Sequence, residues 1–312
     1  MSLKRVLGDK PVIYEIVPPR SNPSRFGTEL RGIEDVMHDR RINAINVPEL
    51  INRRESDGHV HYSPATIPPE EYALLVRDHK ESIVNFIAPR MTRDAFQNRV
   101  HRVLGDYGIK DLVLVGKERH EDVLPGPSVL EALDLVQEEK DDDVALGGIC
   151  IFTRRAKRER DYPGYATHLD EHRRIWVKAS RGCDFVTSQI NFDASAAVDC
   201  VVSYQDLCEK TGDTPLTVFL SIAAVPTPSI LSLLEGLDVV IPPRIRKKLL
   251  QSDDIGAESL KVASEVFAEM VESLEDKHVR VPIGLQIEQI GVKSEVLALE
   301  LLDRVYHGFR RS

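Results

Sequence analysis

The sequence has no long apolar run. No window approaches the ~20 apolar residues that a transmembrane helix needs, and the opening residues, MSLKRVLGDK, lack the apolar core of a signal peptide. An excess of positive charge is also absent, since the formal net charge is −9 at pH 7. A chain of this charge has no overall attraction for nucleic acid or anionic lipid. We therefore expect a cytoplasmic protein that binds neither nucleic acid nor a membrane.

Cysteine is scarce, and its spacing does not indicate a metal site. The 4 cysteines form neither a Cys-x-x-Cys pair nor a Cys/His pattern of the kind that binds zinc. Isolated cysteines are usually buried, reduced thiols. We therefore predict no metal site from the cysteines.

What the sequence does contain is a repeat of short runs rich in Val and Ile, separated by segments of helix length. Such runs pair in parallel through right-handed crossovers, and eight units close a barrel. We predict a single (β/α)8 TIM barrel, an α/β fold, over residues 1–312. A doubly wound open sheet is the alternative, but no Gly-x-Gly-x-x-Gly turn follows the first run. The predicted strands are Val12–Val17, Ile42–Val47, Ser82–Ala88, Asp111–Gly116, Ala145–Ile151, Phe185–Asn191, Leu216–Val225 and Val279–Ile290.

Two intervening segments have clear helical periodicity. Apolar residues recur at three- and four-residue steps in Ala95–Tyr107 and in Glu258–Leu274. Asp254 and its neighbours precede the second segment and supply capping side chains and early negative charge.

Two long loops, at about 52–69 and 153–164, follow predicted strand ends, where a barrel carries its active site. The first contains His59 and His61, a His-x-His pair without a visible third ligand, so a metal-dependent lyase stays a distant alternative. The second contains five basic residues and forms either an anion-binding rim or a solvated face.

Polar side chains interrupt several predicted strands. Glu15 lies in an apolar, doubly buried first strand, where burial would raise its pKa and let it donate a proton near neutral pH. A structural ion pair, for example with Arg20, is the alternative. Gln189 lies on the polar face of strand six, Gln286 shares a face with Glu288, and Asn46 closes strand two. We expect these residues to converge on a polar pocket at the barrel mouth.

Several of these segments resemble the methylenetetrahydrofolate reductase family. Glu15-Ile-Val-Pro-Pro-Arg20 resembles the Phe-Glu-x-x-Pro-Pro-Lys motif that opens the family, and 182–193 is similar to its Gly-Ala-Asp-Phe-x-x-Thr-Gln-x-x-Phe-Asp strand six. The segments at 107–116 and 242–245 also have counterparts in order. The resemblance implies that Glu15 is a general acid and that Gln189 binds a pterin.

The resemblance also implies FAD, but the flavin contacts differ. Where the family has Arg-Gly-Asp after strand four, this chain has Val115-Gly116-Lys117, and Asn85 replaces a strand-three histidine. A cation at Lys117 could favour an anionic reduced flavin, or the chain could bind no flavin. Gly116, Lys117 and Asn85 are therefore the candidate cofactor contacts, with NADH or NADPH as the possible electron donor.

The expected activity is reduction of a methylene-bridged folate, or a similar pterin, to its methyl form by hydride transfer. Glu15 would protonate the bridge nitrogen, with Gln189, Gln286 and Asn46 holding the small-molecule pterin. The alternative is a non-redox barrel associated with a pterin or a corrinoid, a methyltransferase accessory. A homo-oligomer or an electron-donor subunit stays possible.

Overall fold

The fold was obtained as a computed structural model, which describes residues 3–19, 34–56, 59–64, 66–117, 123–154, 170–291 and 294–312, without the side chains of 53–56 and 59–64. Its strands are rich in branched and aromatic residues, which favour extended backbone. They are β1 (Val12–Glu15), β2 (Ala44–Val47), β3 (Ile51–Ser56), β4 (His59–Pro64), β5 (Glu81–Ile87), β6 (Asp111–Val115), β7 (Ala145–Cys150), β8 (Phe185–Ser188), β9 (Thr217–Ile222) and β10 (Ile283–Glu288).

Eight of these strands close a barrel in the order β1-β10-β9-β8-β7-β6-β5-β2. Each neighbouring pair is parallel, and β10 returns to β1 with Glu288 in register with Glu15. Parallel strands need crossovers, which the helices between them provide. The predicted single-domain (β/α)8 barrel is therefore confirmed as the fold class.

Helices connect the strands and cover the barrel from outside. They are α1 (Glu34–His38), α2 (Pro69–Val76), α3 (Arg93–His101), α4 (Val129–Glu139), α5 (Glu171–Ser180), α6 (Ala194–Thr211), α7 (Pro228–Gly236), α8 (Pro243–Gln251), α9 (Ile255–Asp276) and α10 (Glu295–Arg311). No helix among the described residues is long and apolar enough to cross a membrane.

The helix ends follow local capping rules. The Asp254 side chain accepts a hydrogen bond from the Ala257 backbone N–H, so the predicted cap begins α9. The other predicted helix is divided: α3 ends at His101, and one π turn, Arg102–Asp106, continues it. In that turn the Tyr107 N–H donates to the Arg102 carbonyl five residues back, at 2.9 Å.

The barrel interior is filled by a separate apolar group, which we call the inner apolar cluster. Phe185 and Phe219 meet edge to face with ring centroids 5.6 Å apart. Room for these rings comes from Gly147 and Gly284, because a Cβ at either glycine would overlap the adjacent ring. The cluster consists of Leu3, Leu7, Ile13, Ala44, Ile83, Val113, Ala145, Phe185 and Phe219.

Leu3 and Leu7 belong to a short N-terminal segment that closes the lower end of the barrel. Leu3 is fully buried, and the Thr217 hydroxyl, at the start of β9, donates to the Leu7 carbonyl at 2.7 Å. Lys4 donates to the Val144 carbonyl at 3.3 Å, just before β7 begins. The segment is thus held against the amino ends of several strands.

The structure differs from the sequence prediction in the first long loop. The segment at about 52–69 contains an antiparallel hairpin, β3 with β4, that pairs Ile51 with Pro64 and Ser56 with His59. A strand ladder satisfies the backbone polar groups that a loop would leave to water. Residues 155–169, which include most of the second long loop, lie outside the described residues.

Candidate active site

A ring of polar side chains lies above the inner apolar cluster, at the carboxyl ends of the barrel strands. Alternate residues of a strand face the same side. Glu15 therefore faces inward above Ile13, as Asn46 does above Ala44. In enzymes with this fold, that end carries the active site. We call this group the polar layer, and it consists of Glu15, Asn46, Asn85, Thr187, Ser221, Gln286 and Glu288.

Glu15 is the centre of the hydrogen bonds in this layer. The Asn46 Nδ2 donates to Glu15 Oε2 at 2.7 Å, and the Gln286 Nε2 lies 3.4 Å from the same oxygen. Gln286 Nε2 also donates to Glu288 Oε1 at 3.2 Å. Three residues predicted to converge, Glu15, Asn46 and Gln286, are therefore in contact.

Burial changes the acidity of both carboxyl groups. Desolvation raises the pKa of Glu15 from 4.5 to about 7, although the hydrogen bond from Asn46 opposes the rise. Desolvation, followed by the charge of Glu15, raises the pKa of Glu288 well above its ordinary value, while the hydrogen bond from Gln286 opposes the rise. Like charges this close disfavour double ionisation. The pair therefore retains a proton at neutral pH.

The described contacts of Glu15 come from amides rather than from cations. Across the described part of the chain, its carboxylate has amide partners and forms no ion pair with Lys or Arg. Arg20, the predicted structural partner, lies outside the described residues. The ion pair with Arg20 therefore stays a prediction.

Several buried acceptors in the polar layer have no hydrogen-bond partner within the described ranges. They are Asn46 Oδ1, Asn85 Oδ1, Gln286 Oε1 and the hydroxyl oxygens of Thr187 and Ser221. Buried polar atoms in folded proteins are nearly always bonded, so unpaired acceptors that face one interior indicate a ligand or ordered water. A ligand that satisfied them would present N–H or O–H donors.

Three of the other predicted contacts, Gln189, Gly116 and Lys117, lie just past the carboxyl ends of their strands. Gln189 follows β8, where strand alternation no longer determines direction, and its Nε2 donates to the Leu237 carbonyl at 3.0 Å. No described hydrogen bond joins it to Glu15, and its pterin-binding role stays a prediction. Gly116 and Lys117 follow β6 directly, whereas Asn85 is buried within the polar layer.

The basic loop and the histidine pair are partly outside the described region. Arg154, at the start of the loop, pairs with the buried Glu171 at 3.1 Å, and the rest of the basic residues are not described. The side chains of His59 and His61 are likewise not described. Within the described side chains, no group of three His, Cys, Asp or Glu residues could hold a metal ion.

Glu288 and Thr187 were not predicted as site residues. Alternation places Glu288 on the same face as Gln286, and Thr187 on the polar face of strand six. That signal was present in the sequence. Its significance appears only in the closed barrel, where β10 returns to β1 and sets Glu288 against Glu15.

These features define a (β/α)8 barrel whose mouth holds a partly buried pair of carboxyl groups among unpaired amide oxygens. No known family profile matches the chain. No curated protein sequence matches it either.

Solved structures do resemble it. An uncharacterised protein from Clostridium thermocellum that binds two copies of 5-methyl-5,6,7,8-tetrahydrofolic acid has 22% identity and a TM-score of 0.75 over 97% of this chain and 98% of that one. An aldo-keto reductase from Klebsiella pneumoniae, solved with NADPH, has 13% identity and a TM-score of 0.51 over 98% of this chain and 93% of that one. At these identities the likeness shows a shared fold.

Proposed function

We propose that the chain binds a folate-type pterin in the polar layer and reduces a methylene-bridged folate to its methyl form. The observation that supports this most directly is the set of unpaired acceptors beside a carboxyl pair that retains a proton. The pyrimidine edge of a reduced pterin presents N–H donors, which match amide and carboxyl oxygens. The folate bound by the Clostridium thermocellum protein supports the same ligand class.

In this proposal Glu15 supplies the proton for the reaction. It protonates a bridge nitrogen of the methylene folate, the carbon–nitrogen bond to that nitrogen breaks, and an iminium forms at the other nitrogen. Hydride from a nicotinamide cofactor then reduces the iminium to the methyl group. The net reaction consumes one hydride and one proton, and Asn46 and Gln286 hold the Glu15 carboxyl in place.

The resemblance also implies FAD, with Gly116, Lys117 and Asn85 as its candidate contacts. A Cβ at Gly116 would meet Val129 Cγ2 at 3.4 Å, so the protein around Gly116 leaves room for a side chain. Asn85 Oδ1 belongs to the polar layer. These residues do not by themselves define a flavin site, so no step is derived through a flavin. FAD binding stays a prediction, checked by the absorbance of the purified protein.

A non-redox role is the second candidate. The Clostridium thermocellum protein binds the methyl form of the folate, which is the product of the proposed reduction. A barrel that only holds methylated folate, as an accessory to methyl transfer, would need the acceptors of the polar layer but not a proton from Glu15.

One experiment separates the two roles. The purified chain is mixed with methylenetetrahydrofolate and NADH or NADPH, and nicotinamide oxidation and methyltetrahydrofolate are both measured. Matched formation of oxidised nicotinamide and methyl product supports the reductase. Tight binding of methyltetrahydrofolate by calorimetry, without turnover from either donor or from a chemically reduced flavin, would instead support the accessory role.

A further inference from the structure

A cavity of about 380 Å³ lies beside the barrel mouth and outside the polar layer. Its walls come from the start of α2, from the residues after β5 and from α3 with the turn that follows it. We call it the arginine cavity. Its charged lining residues are Glu49, Glu70, Arg90, Arg99 and Arg102.

Arg99 is fully engaged in the structure of this cavity. Its Nη1 donates to Glu49 at 2.7 Å, and its Nε and Nη2 donate to the two oxygens of Glu70 at 2.9 and 2.6 Å. The guanidinium also lies 4.2 Å from the centroid of the Phe86 ring. Glu49 accepts a further hydrogen bond from the Ile87 N–H at 2.7 Å. Arg99 therefore holds the cavity together and has little capacity for a ligand.

Arg90 and Arg102 form fewer interactions with the protein than Arg99 does. A guanidinium has five N–H donors, whereas Arg90 has one described ion pair, to Glu49 at 2.8 Å, and Arg102 is 3.7 Å from Glu70. The Arg102 side chain is 50% exposed, so water solvates it and a ligand could reach it. Each of these cations has donor capacity left for an anion.

The composition of the cavity indicates what kind of ligand it fits. Three guanidinium groups face two carboxylates, which leaves one net positive charge. Apolar atoms of Ile67, Pro68 and Met91 form much of the remaining wall. Arginine binds carboxylates through paired, charge-assisted hydrogen bonds. A carboxylate attached to a flat apolar group matches this lining.

The cavity is close to the polar layer. Glu49 lies three residues after Asn46, a separation that an extended chain spans in ~10 Å. The Ile67 N–H, in the cavity wall, donates at 3.1 Å to the carbonyl of Pro19, four residues after Glu15. A ligand whose ring lies beside Glu15 could therefore extend its other end toward Arg90.

We propose that the arginine cavity binds the carboxylate-bearing tail of the folate, with Arg90 and Arg102 as its ligands. This inference rests on the proposed function, because it takes the pterin ring to occupy the polar layer. It assigns the tail to the β2 and β5 side of the mouth rather than to the basic loop after β7. The aminobenzoyl group of the tail supplies the flat apolar surface that Met91 and Pro68 would contact.

The test compares two ligands on three proteins by titration calorimetry. The ligands are 5-methyltetrahydrofolate, which carries the tail, and 6-methyltetrahydropterin, which lacks it. The proteins are the wild type, the Arg102→Ala variant and an Arg93→Ala control, in which an exposed arginine at the start of α3 is removed. Arg102→Lys is added to distinguish loss of charge from loss of the paired geometry.

We expect Arg102→Ala to weaken folate binding about 10- to 100-fold, the usual effect of one hydrogen bond to a charged group, and to leave tetrahydropterin binding unchanged. The Arg93→Ala control should match the wild type with both ligands. If Arg102→Ala binds folate like the wild type, or loses both ligands equally, the tail does not occupy this cavity, although the proposed function stands. If the wild type binds neither ligand, the proposed function and this inference both fail.

Discussion

Replacing Glu15 by glutamine tests the central residue of the site through stability and activity together. The carboxyl has a pKa of about 7 in the folded chain against an ordinary value of 4.5. Below pH 4.5 the folded and unfolded chains both hold the proton, and the carboxyl has no effect on stability. As the pH rises toward 7, the unfolded chain releases its proton first, so the free energy of unfolding falls.

The size of this loss follows from the separation of the two pKa values. Each unit corresponds to about 1.4 kcal/mol, so the buried carboxyl costs the folded state on the order of 3 kcal/mol above pH 7. An amide cannot ionise and can still accept the hydrogen bond from Asn46. We therefore expect Glu15→Gln to be more stable than the wild type at pH 8 by up to that amount, and similar to it at pH 4.5.

The assay is urea unfolding of both proteins at several pH values, with the exposed Glu269→Gln as the matched control. Turnover of methylenetetrahydrofolate is measured on the same samples, and loss of a general acid should reduce it by ~10²–10⁴-fold. A Glu15→Gln protein that unfolds more easily at pH 8 would refute the argument, since it would mean that the carboxylate stabilises the fold through a cation.

Four further predictions test other properties of the molecule. In Glu15→Gln, the pKa of Glu288 should fall because the charge of Glu15 no longer opposes its ionisation, and NMR of labelled glutamate carboxyl carbons would detect this. Gly284→Ala should destabilise the fold by about 1–3 kcal/mol in urea unfolding, since its Cβ overlaps the Phe219 ring, whereas Gly308→Ala meets nothing within 4 Å. The 4 cysteines are buried, and burial raises the pKa of every thiol, to about 12 for Cys183 and Cys200, so a native sample at pH 8 should react slowly with a thiol reagent and a denatured one fully. In flavin-loaded protein, Lys117→Asp should lower the reduction potential, and an unchanged potential would mean that Lys117 does not contact the flavin.

The barrel could be predicted because its strands carry a strong local signal. Val, Ile and other apolar residues recur in all eight runs, and strand starts such as Asp111 and Ala145 were located to the residue. Strand ends were less predictable. The run Val279–Ile290 was assigned as one strand, whereas β10 covers Ile283–Glu288, because apolar residues continue to pack after the ladder ends. The β3–β4 hairpin was missed, since charged residues such as Arg53, Arg54 and Glu55 give its first strand no apolar alternation.

The candidate site was predictable where strand alternation governs direction. Glu15, Asn46 and Gln286 lie within strands, and the structure brings them into contact. Gln189 lies one residue past β8, so its side chain follows the loop and bonds Leu237 instead. The arginine cavity gave no local signal at all. Its ion pairs join Arg99 to residues 29 and 50 positions away, a relation that depends on the closed fold.

The N-terminal segment that holds Leu3 and Leu7 against the lower end of the barrel has a kinetic consequence. Because the inner apolar cluster fills the barrel below Glu15, the polar layer is reached from the carboxyl ends of the strands. In the proposed reaction, the pterin and the hydride donor would both reach the site from that end. Either both bind at once with their rings stacked, or each binds after the other has left. Initial-rate plots distinguish the two cases, since intersecting lines indicate simultaneous binding and parallel lines indicate alternate binding.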